Sequence, residues 1–220
     1  MFVDVHAHLD HVRYIDDLDK VVTNCRENNV TVVTCGVNKD SNRRVLEISE
    51  KYKDVVKAAL GMYPFDVIGI GRDKSYSGRI PEKFDVDEEL EFIRKNKDKI
   101  VCISEVGMDK SIKEHKIEKQ KEIFMKIIEL SEKIKKPMVI HSRKAELECI
   151  ELLESCKHKR IVMHFFSGNF KLVKRIEDNG WFFSIPCSID RLQHFQMISE
   201  KVSINQLLTE TDSPYAPPIG

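Results

Sequence analysis

Apolar residues form two kinds of segment that alternate along the chain. Short runs rich in β-branched residues, such as Thr31–Gly36 and Ile100–Val106, predict buried strands. The segments between them carry apolar residues at helical spacing, as Val45 and Ile48 do within Ser41–Tyr52. Strict alternation of the two kinds predicts parallel strands that are joined by crossover helices.

Eight strands and seven helices are predicted in this way. The strands are Phe2–His6, Thr31–Gly36, Val55–Met62, Ile100–Val106, Pro137–His141, Arg160–Phe165, Trp181–Ile185 and Gln206–Glu210. The helices are Tyr14–Asn28, Ser41–Tyr52, Asp85–Asn96, Lys113–Lys135, Ala145–Cys156, Phe170–Asn179 and Asp190–Lys201. Eight parallel strands close a (β/α)8 TIM barrel, so we expect a single α/β domain over residues 1–220, with its final helix absent or truncated. The alternative is an open doubly wound sheet, which usually begins with a glycine-rich turn that this chain lacks after its first strand.

One connection, residues 65–83, has the glycine-rich composition of a long surface loop. Its charged and aromatic residues fit either a contact with a nucleic-acid backbone or an ordinary solvated loop. These residues are Arg72, Lys74, Tyr76, Arg79 and Lys83.

Composition bears on the kind of partner and on the cellular compartment. The 36 basic and 36 acidic residues cancel, which argues against coating duplex DNA through bulk positive charge and favours single strands or ends. The six cysteines form no C-x-x-C pair, which indicates free thiols in a reducing compartment. The chain shows neither a signal peptide nor an apolar run of membrane-spanning length, so we expect a cytoplasmic protein without membrane contact.

Metal-ligating residue types occur at the carboxyl ends of five predicted strands, where barrel enzymes carry their chemistry. They are His6, His8, Glu105, His141, His164 and Asp212. Any one of them could be an ordinary polar residue beside a loop. Together they predict a metal site.

Six donors exceed the ligands of one zinc ion and suit two divalent cations that share a carboxylate and a water. Glu105, from a strand in the middle of the barrel, is the expected bridge, and Asp212 the expected ligand that also accepts the water's proton. Imidazole and carboxylate ligands are compatible with Zn²⁺, Mn²⁺, Mg²⁺ or Co²⁺. The reaction class is metal-assisted hydrolysis.

Other acidic and histidine residues have open roles. Asp4 lies on the same face of the first strand as the two histidines, where it either orients an imidazole or is a buried structural acid. His11 is close enough to the strand end to support the site. Surface or packing roles are expected for His115, His158 and His194.

Five segments carry a family resemblance: VDVHAHLD (residues 3–10), SEVGMD (104–109), VIHSRKA (139–145), HFFSG (164–168) and TETDSPYAPP (209–218). In this order and over nearly the whole chain, they resemble the TatD-type metal-dependent deoxyribonucleases. The resemblance implies a barrel with a two-metal centre that hydrolyses phosphodiester bonds in DNA as a 3′-5′ exonuclease. It implies the same six ligands, and a contact between Arg143 and a substrate phosphate, for which a surface salt bridge is the alternative.

The chain departs from the family in two places. Many members have G-x-H-P-H after the third strand, where this chain has Tyr63 and Phe65 in place of both histidines. Tyr63 is predicted either to bind a substrate phosphate or to pack beneath the loop. The sequence also ends at Gly220, where the family usually continues into another helix, so we expect one exposed flank of the barrel.

Two other functions remain open on this evidence. The same barrel could hydrolyse another ester, amide or lactone, because fold does not settle substrate. A degenerate barrel could serve as a binding protein, although six coordinating side chains argue against it. The expected partner is DNA, single-stranded or at an end, and the oligomeric state is open.

Overall fold

The computed structural model describes residues 1–70, 84–157 and 160–217. Eight parallel strands pair in chain order into a closed barrel, which confirms the predicted (β/α)8 fold. The strands are Phe2–Ala7 (β1), Val30–Cys35 (β2), Val56–Leu60 (β3), Ile100–Gly107 (β4), Met138–His141 (β5), Ile161–Met163 (β6), Phe182–Pro186 (β7) and Leu207–Glu210 (β8). Strand β8 closes the ring because it pairs with both β7 and β1.

Helices connect the strands on the outside of the barrel. In the described ranges they are Leu18–Glu27 (α1), Lys39–Lys51 (α2), Pro64–Val67 (α3), Val86–Lys95 (α4), Ile117–Ile134 (α5), Glu146–Glu154 (α6), Phe170–Asp178 (α7) and Gln193–Lys201 (α8). None of them is long and apolar enough to cross a membrane.

Three predicted helices are wrong at their N-termini, and the last of them begins at Gln193 rather than Asp190, after a 3₁₀ turn over Ile189–Arg191. The first begins at Leu18, later than predicted, because Val12–Tyr14 form a separate 3₁₀ turn. The longest begins at Ile117 rather than Lys113, because Lys116 adopts the left-handed conformation with φ of 45°. A right-handed α-helix cannot include a residue in that conformation.

The loop predicted over residues 65–83 is wrong at its start. Pro64–Val67 form the short helix α3, with proline at the first helical position, where its missing N–H costs nothing. The residues of that loop from 71 to 83 lie outside the described part of the chain. Its predicted nucleic-acid contacts, Arg72, Lys74, Tyr76, Arg79 and Lys83, are among them.

Alternation along each strand sends side chains either into the barrel or toward the helices. An apolar cluster with residues from seven strands fills the interior: Val33, Cys35, Ala59, Cys102, Val139, Val162, Phe182 and Leu208. On β1 the alternating buried residues are Asp4 and His6 instead. This strand therefore places polar groups where the other strands place the apolar residues of this cluster. All six cysteines are free thiols, as predicted.

Candidate metal centre

The six predicted ligands lie together at the carboxyl end of the barrel. They form three overlapping groups whose donor atoms lie within 4.8 Å of one another: His6, His164 and Asp212; His6, His8 and Glu105; Glu105, His141 and His164. Five different strands or the loops that follow them contribute these side chains. The strand-end rule therefore predicted a real cluster.

The tightest part of the cluster surrounds the two histidines of β1. The Nε2 atoms of His6 and His8 lie 3.2 Å apart. Asp212 Oδ1 lies 3.6 and 3.4 Å from these two nitrogens, and Glu105 Oε2 lies 3.9 and 3.7 Å from them. Ligands about 2.1 Å from one tetrahedral ion are about 3.4 Å from each other. The distances from each carboxylate oxygen to the two nitrogens are close to that spacing, so each carboxylate can share a divalent cation with the two histidines.

Glu105 connects this group to a second one. While its Oε2 atom faces the β1 histidines, its Oε1 atom lies 2.7 Å from Nδ1 of His141. A Cβ on Gly107, which has φ of 138°, would lie 2.0 Å from the carbonyl oxygen of His141. Only glycine therefore permits the close approach of β4 and β5 that sets this contact. One carboxylate with its two oxygens in two donor groups has the arrangement of a bridging ligand.

Each imidazole of the cluster has its second nitrogen held by the protein. Nδ1 of His8 donates a hydrogen bond of 3.0 Å to the carbonyl of Cys35. Nδ1 of His6 lies 3.3 Å from Oγ of Ser104. These contacts fix the rings so that both Nε2 atoms face the cluster.

The other two imidazoles are held by buried carboxylates. Nε2 of His141 donates to Asp109 over 2.8 Å, and Nδ1 of His164 donates to Glu210 over 2.7 Å. Asp109 and Glu210 are 0% and 2% exposed. Sequence reasoning missed both acids, although they stand inside the segments SEVGMD and TETDSPYAPP. The signal that could have found them is an acid next to predicted ligands in a buried strand-end segment. Carboxylate–histidine pairs of this kind are typical of metal sites.

The pKa values of the cluster shift in both directions. Burial lowers the pKa of His6, and the neighbouring His164 lowers it further. Burial alone would raise the pKa of Glu105, but the hydrogen bond and charge of His141 hold it well below its usual range. Burial opposes the charge on His164 as well, yet Glu210 raises its pKa to about 10. Glu105 is therefore an anion and His6 a neutral donor, the forms that ligate metals, whereas His164 must release a proton before it can bind a metal ion.

Asp212 is fixed by contacts between β8 and β1. Its φ of 51° is left-handed, and its N–H donates to the carbonyl of His6 over 2.9 Å. Asp4 accepts hydrogen bonds from the Thr211 N–H at 3.0 Å and hydroxyl at 2.6 Å, and from the His6 N–H at 3.1 Å. These contacts are to backbone and to Thr211, so they match the structural alternative for Asp4. Burial raises the pKa of this carboxyl to about 6.

Tyr63 and Phe65 pack beneath the cluster. The Tyr63 side chain is 3% exposed, its hydroxyl donates to Asp109 over 2.9 Å, and it lies 3.4 Å from Nε2 of His141. The Phe65 ring meets the Tyr63 ring edge-on at 5.7 Å. At the positions of the family's histidines, this chain therefore places a hydroxyl that holds Asp109 and a ring that supports it.

Arg143 lies at the surface beside the cluster. It is exposed and lines a cleft of about 350 Å³ that opens over His141, His164 and Asp212. Within the described part of the chain its side chain forms no ion pair. The predicted alternative, a surface salt bridge, is therefore not seen among those residues.

The remaining histidines lie outside the three donor groups. Nδ1 of His11 accepts the N–H of Arg13 over 3.1 Å and caps the 3₁₀ turn. His115 and His194 belong to none of the groups, in line with surface or packing roles. His158 lies outside the described residues.

Comparisons of the sequence with known proteins find metal-dependent hydrolases and deoxyribonucleases. A model of the TatD related DNase family matches residues 3–220. The chain is 30% identical over 218 residues to MJ1582 of Methanocaldococcus jannaschii, named an uncharacterized metal-dependent hydrolase, covering 99% of this chain and 80% of that protein. It is also 30% identical over 218 residues to human deoxyribonuclease TATDN3, covering 96% of this chain and 77% of the human protein.

Solved structures agree on the fold. The TatD homologue YJJV of Escherichia coli matches with a TM-score of 0.85 at 23% identity, over 100% of this chain and 82% of that one. A TatD family hydrolase from Entamoeba histolytica matches with a TM-score of 0.83 at 22% identity, over 99% and 75% of the two chains.

Proposed function

Because this chain belongs to the TatD-related DNase family and is thereby a metal-dependent hydrolase, we propose that it hydrolyses phosphodiester bonds at the 3′ end of single-stranded DNA. The observation that carries the proposal is the donor cluster, in which four imidazoles each have one nitrogen held by the protein and the other facing two shared carboxylates. The name of the human relative and the family supply the DNA substrate. The direction of digestion comes from the family resemblance.

Two divalent cations are the cofactors that fit this donor set. When bound, they would polarise a phosphoryl oxygen and acidify water. His6, His8, Asp212 and one oxygen of Glu105 would hold one of them. The second oxygen of Glu105, with the imidazoles at the ends of β5 and β6, would hold the other.

Asp212 is placed to move a proton. Its side chain is 18% exposed, more than that of any other ligand, and it borders the cleft. Glu105, by contrast, is buried behind it. We propose that Asp212 accepts the proton of the attacking water, while Glu105 serves only to hold the cations.

Arg143 is the residue proposed to hold the substrate phosphate. Its guanidinium is exposed at the edge of the cleft, and this group offers forked donors that match phosphate oxygens. Tyr63 is the weaker candidate for such a contact, because its hydroxyl already donates to Asp109.

The direct test is digestion of labelled single-stranded DNA by protein reconstituted with Mg²⁺, Mn²⁺, Co²⁺ or Zn²⁺, with and without a chelator. Labels at the 5′ and 3′ ends in parallel reactions report the polarity. We expect product only with metal, as a ladder from the 5′-labelled strand. If no divalent metal yields product, while a panel of lactones, amides and other esters does, the DNA substrate is wrong.

The metal assignment has its own test. His6→Ala should lower metal content measured by mass spectrometry, because His6 belongs to two of the donor groups. The matched control is His115→Ala, which removes a histidine outside the cluster and should leave metal content unchanged. Equal occupancy in both variants would refute the ligand assignment.

A further inference from the structure

The cleft beside the cluster is lined by rings as well as by ligands. Its volume of about 350 Å³ lies at the low end of the range for small-molecule sites, roughly 300–1,000 Å³. Side chains around it are His141, Ser142, Arg143, His164, Phe165 and Tyr215. The space suits one unpaired nucleotide next to the proposed metals.

Two consecutive phenylalanines point in different directions at the end of β6. Phe166 is 1% exposed and packs against Phe183 at 5.8 Å in the core. Phe165 is half-buried and borders the cleft. Phe165 also packs against the core on one side, but part of its side chain stays exposed.

The backbone at Phe165 is unusual for a bulky residue. Its φ is 43°, in the left-handed region that large side chains rarely adopt. Its N–H donates to Oε1 of Glu210 over 3.1 Å, and the other oxygen of the same carboxylate holds His164. One buried acid therefore fixes both a proposed ligand and the ring beside it, and conformations of this kind cluster at functional sites.

Outside the ligand cluster, Phe165 begins a row of four rings, and on the cluster side its ring meets that of His164 edge-on at 6.0 Å. Its ring meets Phe195 edge-on at 5.0 Å, and the row continues through His194 to Phe170. At the far end, the ammonium of Lys201 lies 4.9 Å from the Phe170 ring. The near end, Phe165, borders the cleft and is supported from behind by Phe195.

We propose that Phe165 stacks on the terminal nucleobase of the single-stranded substrate, which lies in this cleft with its 5′ phosphate at the metal cluster. The inference rests on the proposed function and deepens it by naming what is recognised at the end of the strand. A phenyl ring offers no hydrogen bond to a base edge, so every base is accepted. A paired end would need to open, because the cleft holds one nucleotide.

Binding gives the first test. A short single-stranded oligonucleotide with 2-aminopurine at its 3′ end and phosphorothioate linkages reports stacking through fluorescence quenching without turnover. We expect Phe165→Ala in the metal-loaded protein to bind about tenfold more weakly, within the range for one base on one ring. Phe165→Tyr should keep the quenching. Phe165→Leu keeps apolar bulk but has no ring, so it should lose the quenching, and it replaces the alanine variant if that one unfolds.

Phe170→Ala is the matched control, because it removes an equally half-buried ring from the other end of the same row. It should bind like the wild type. Equal quenching and affinity in the wild type, Phe165→Leu and Phe165→Ala would overturn the stacking inference.

Removing the base instead of the ring gives the second test. The wild type should release a normal 3′ nucleotide about tenfold faster than an abasic one, whereas Phe165→Leu should treat the two alike. If the wild type released normal and abasic 3′ nucleotides at equal rates, the stacking inference would be refuted, but the proposed nuclease activity would stand. A wild type that neither binds nor cleaves DNA would overturn both proposals.

Discussion

The two halves of the ligand cluster differ in what holds their imidazoles. On the β1 side, the outer nitrogens of His6 and His8 contact neutral oxygens, a serine hydroxyl and a backbone carbonyl. On the side of β5 and β6, the outer nitrogens of His141 and His164 donate to buried carboxylates. The same ligand type is therefore supported by different chemistry a few ångströms apart.

The difference changes the donor strength of the rings. A carboxylate partner draws the outer proton of an imidazole and makes its other nitrogen a better metal ligand. This effect appears in the pKa of His164, which Glu210 raises to about 10 against the effect of burial. His6 has no such partner, and burial together with His164 lowers its pKa. We therefore expect metal binding in the β5–β6 half to depend on its buried acids. In the β1 half, metal binding should depend on the carboxylate ligands that it shares with the other half.

The largest effect should come from the ligand common to both halves. Glu105→Gln keeps the shape of the side chain but leaves one oxygen to serve two donor groups. Metal content should fall by about one ion per chain and turnover by at least ~10⁴-fold, because charge stabilisation and a cation are lost together. Metal analysis and the labelled-DNA assay measure the two. Full metal content in Glu105→Gln would show that Glu105 does not bridge two cations. The control is Glu114→Gln, which makes the same change at an exposed position.

Substitution of Asp212 should lower turnover without lowering metal content. Asp212→Asn retains an oxygen near His6 and His8, so we expect metal to remain bound. Turnover should fall by about 10²- to 10⁴-fold, because an amide cannot accept the proton of the attacking water. Near-normal turnover at full occupancy would exclude Asp212 as the base.

The fold was predictable because its signals are local. Strand and helix periodicities predicted the barrel, and the rule that chemistry lies at strand ends selected six residues that the structure brings together. The helix starts were less accessible. Lys116 in a left-handed conformation delays α5 beyond where its sequence pattern begins. Such a conformation depends on tertiary contacts that periodicity does not record.

The supporting residues were harder to predict than the ligands. The sequence has 36 acidic residues, and although closeness to predicted ligands singles out a few of them, it does not tell which imidazole each one contacts. Asp109 follows β4 and contacts His141 on the neighbouring strand β5, and Glu210 reaches His164 from a strand two places along the barrel. Likewise, the turn of Phe165 toward the cleft follows from a backbone conformation that its neighbours impose.

The buried acids test the carboxylate-held half. Glu210 accepts from both His164 and the N–H of Phe165, and Glu210→Gln can accept only one of these because its amide nitrogen is a donor. Metal affinity should fall by about 10- to 100-fold. Asp109→Asn should act similarly through His141. Calorimetric titration of metal into the chelator-treated protein measures this, and unchanged affinity in both variants would remove the distinction between the halves.

The smallest effect is expected where the support is neutral. Ser104 lies 3.3 Å from Nδ1 of His6, at the long end for a hydrogen bond, so Ser104→Ala should weaken metal binding by only about two- to threefold. The matched control is Ser184→Ala, which removes a fully buried hydroxyl from β7, where it has no hydrogen-bond partner among the described residues. If Ser104→Ala instead matched Glu210→Gln, neutral and charged partners would be equivalent here. Any difference in metal binding between the two halves would then come from the shared carboxylates, Glu105 and Asp212, rather than from the groups that hold the imidazole rings.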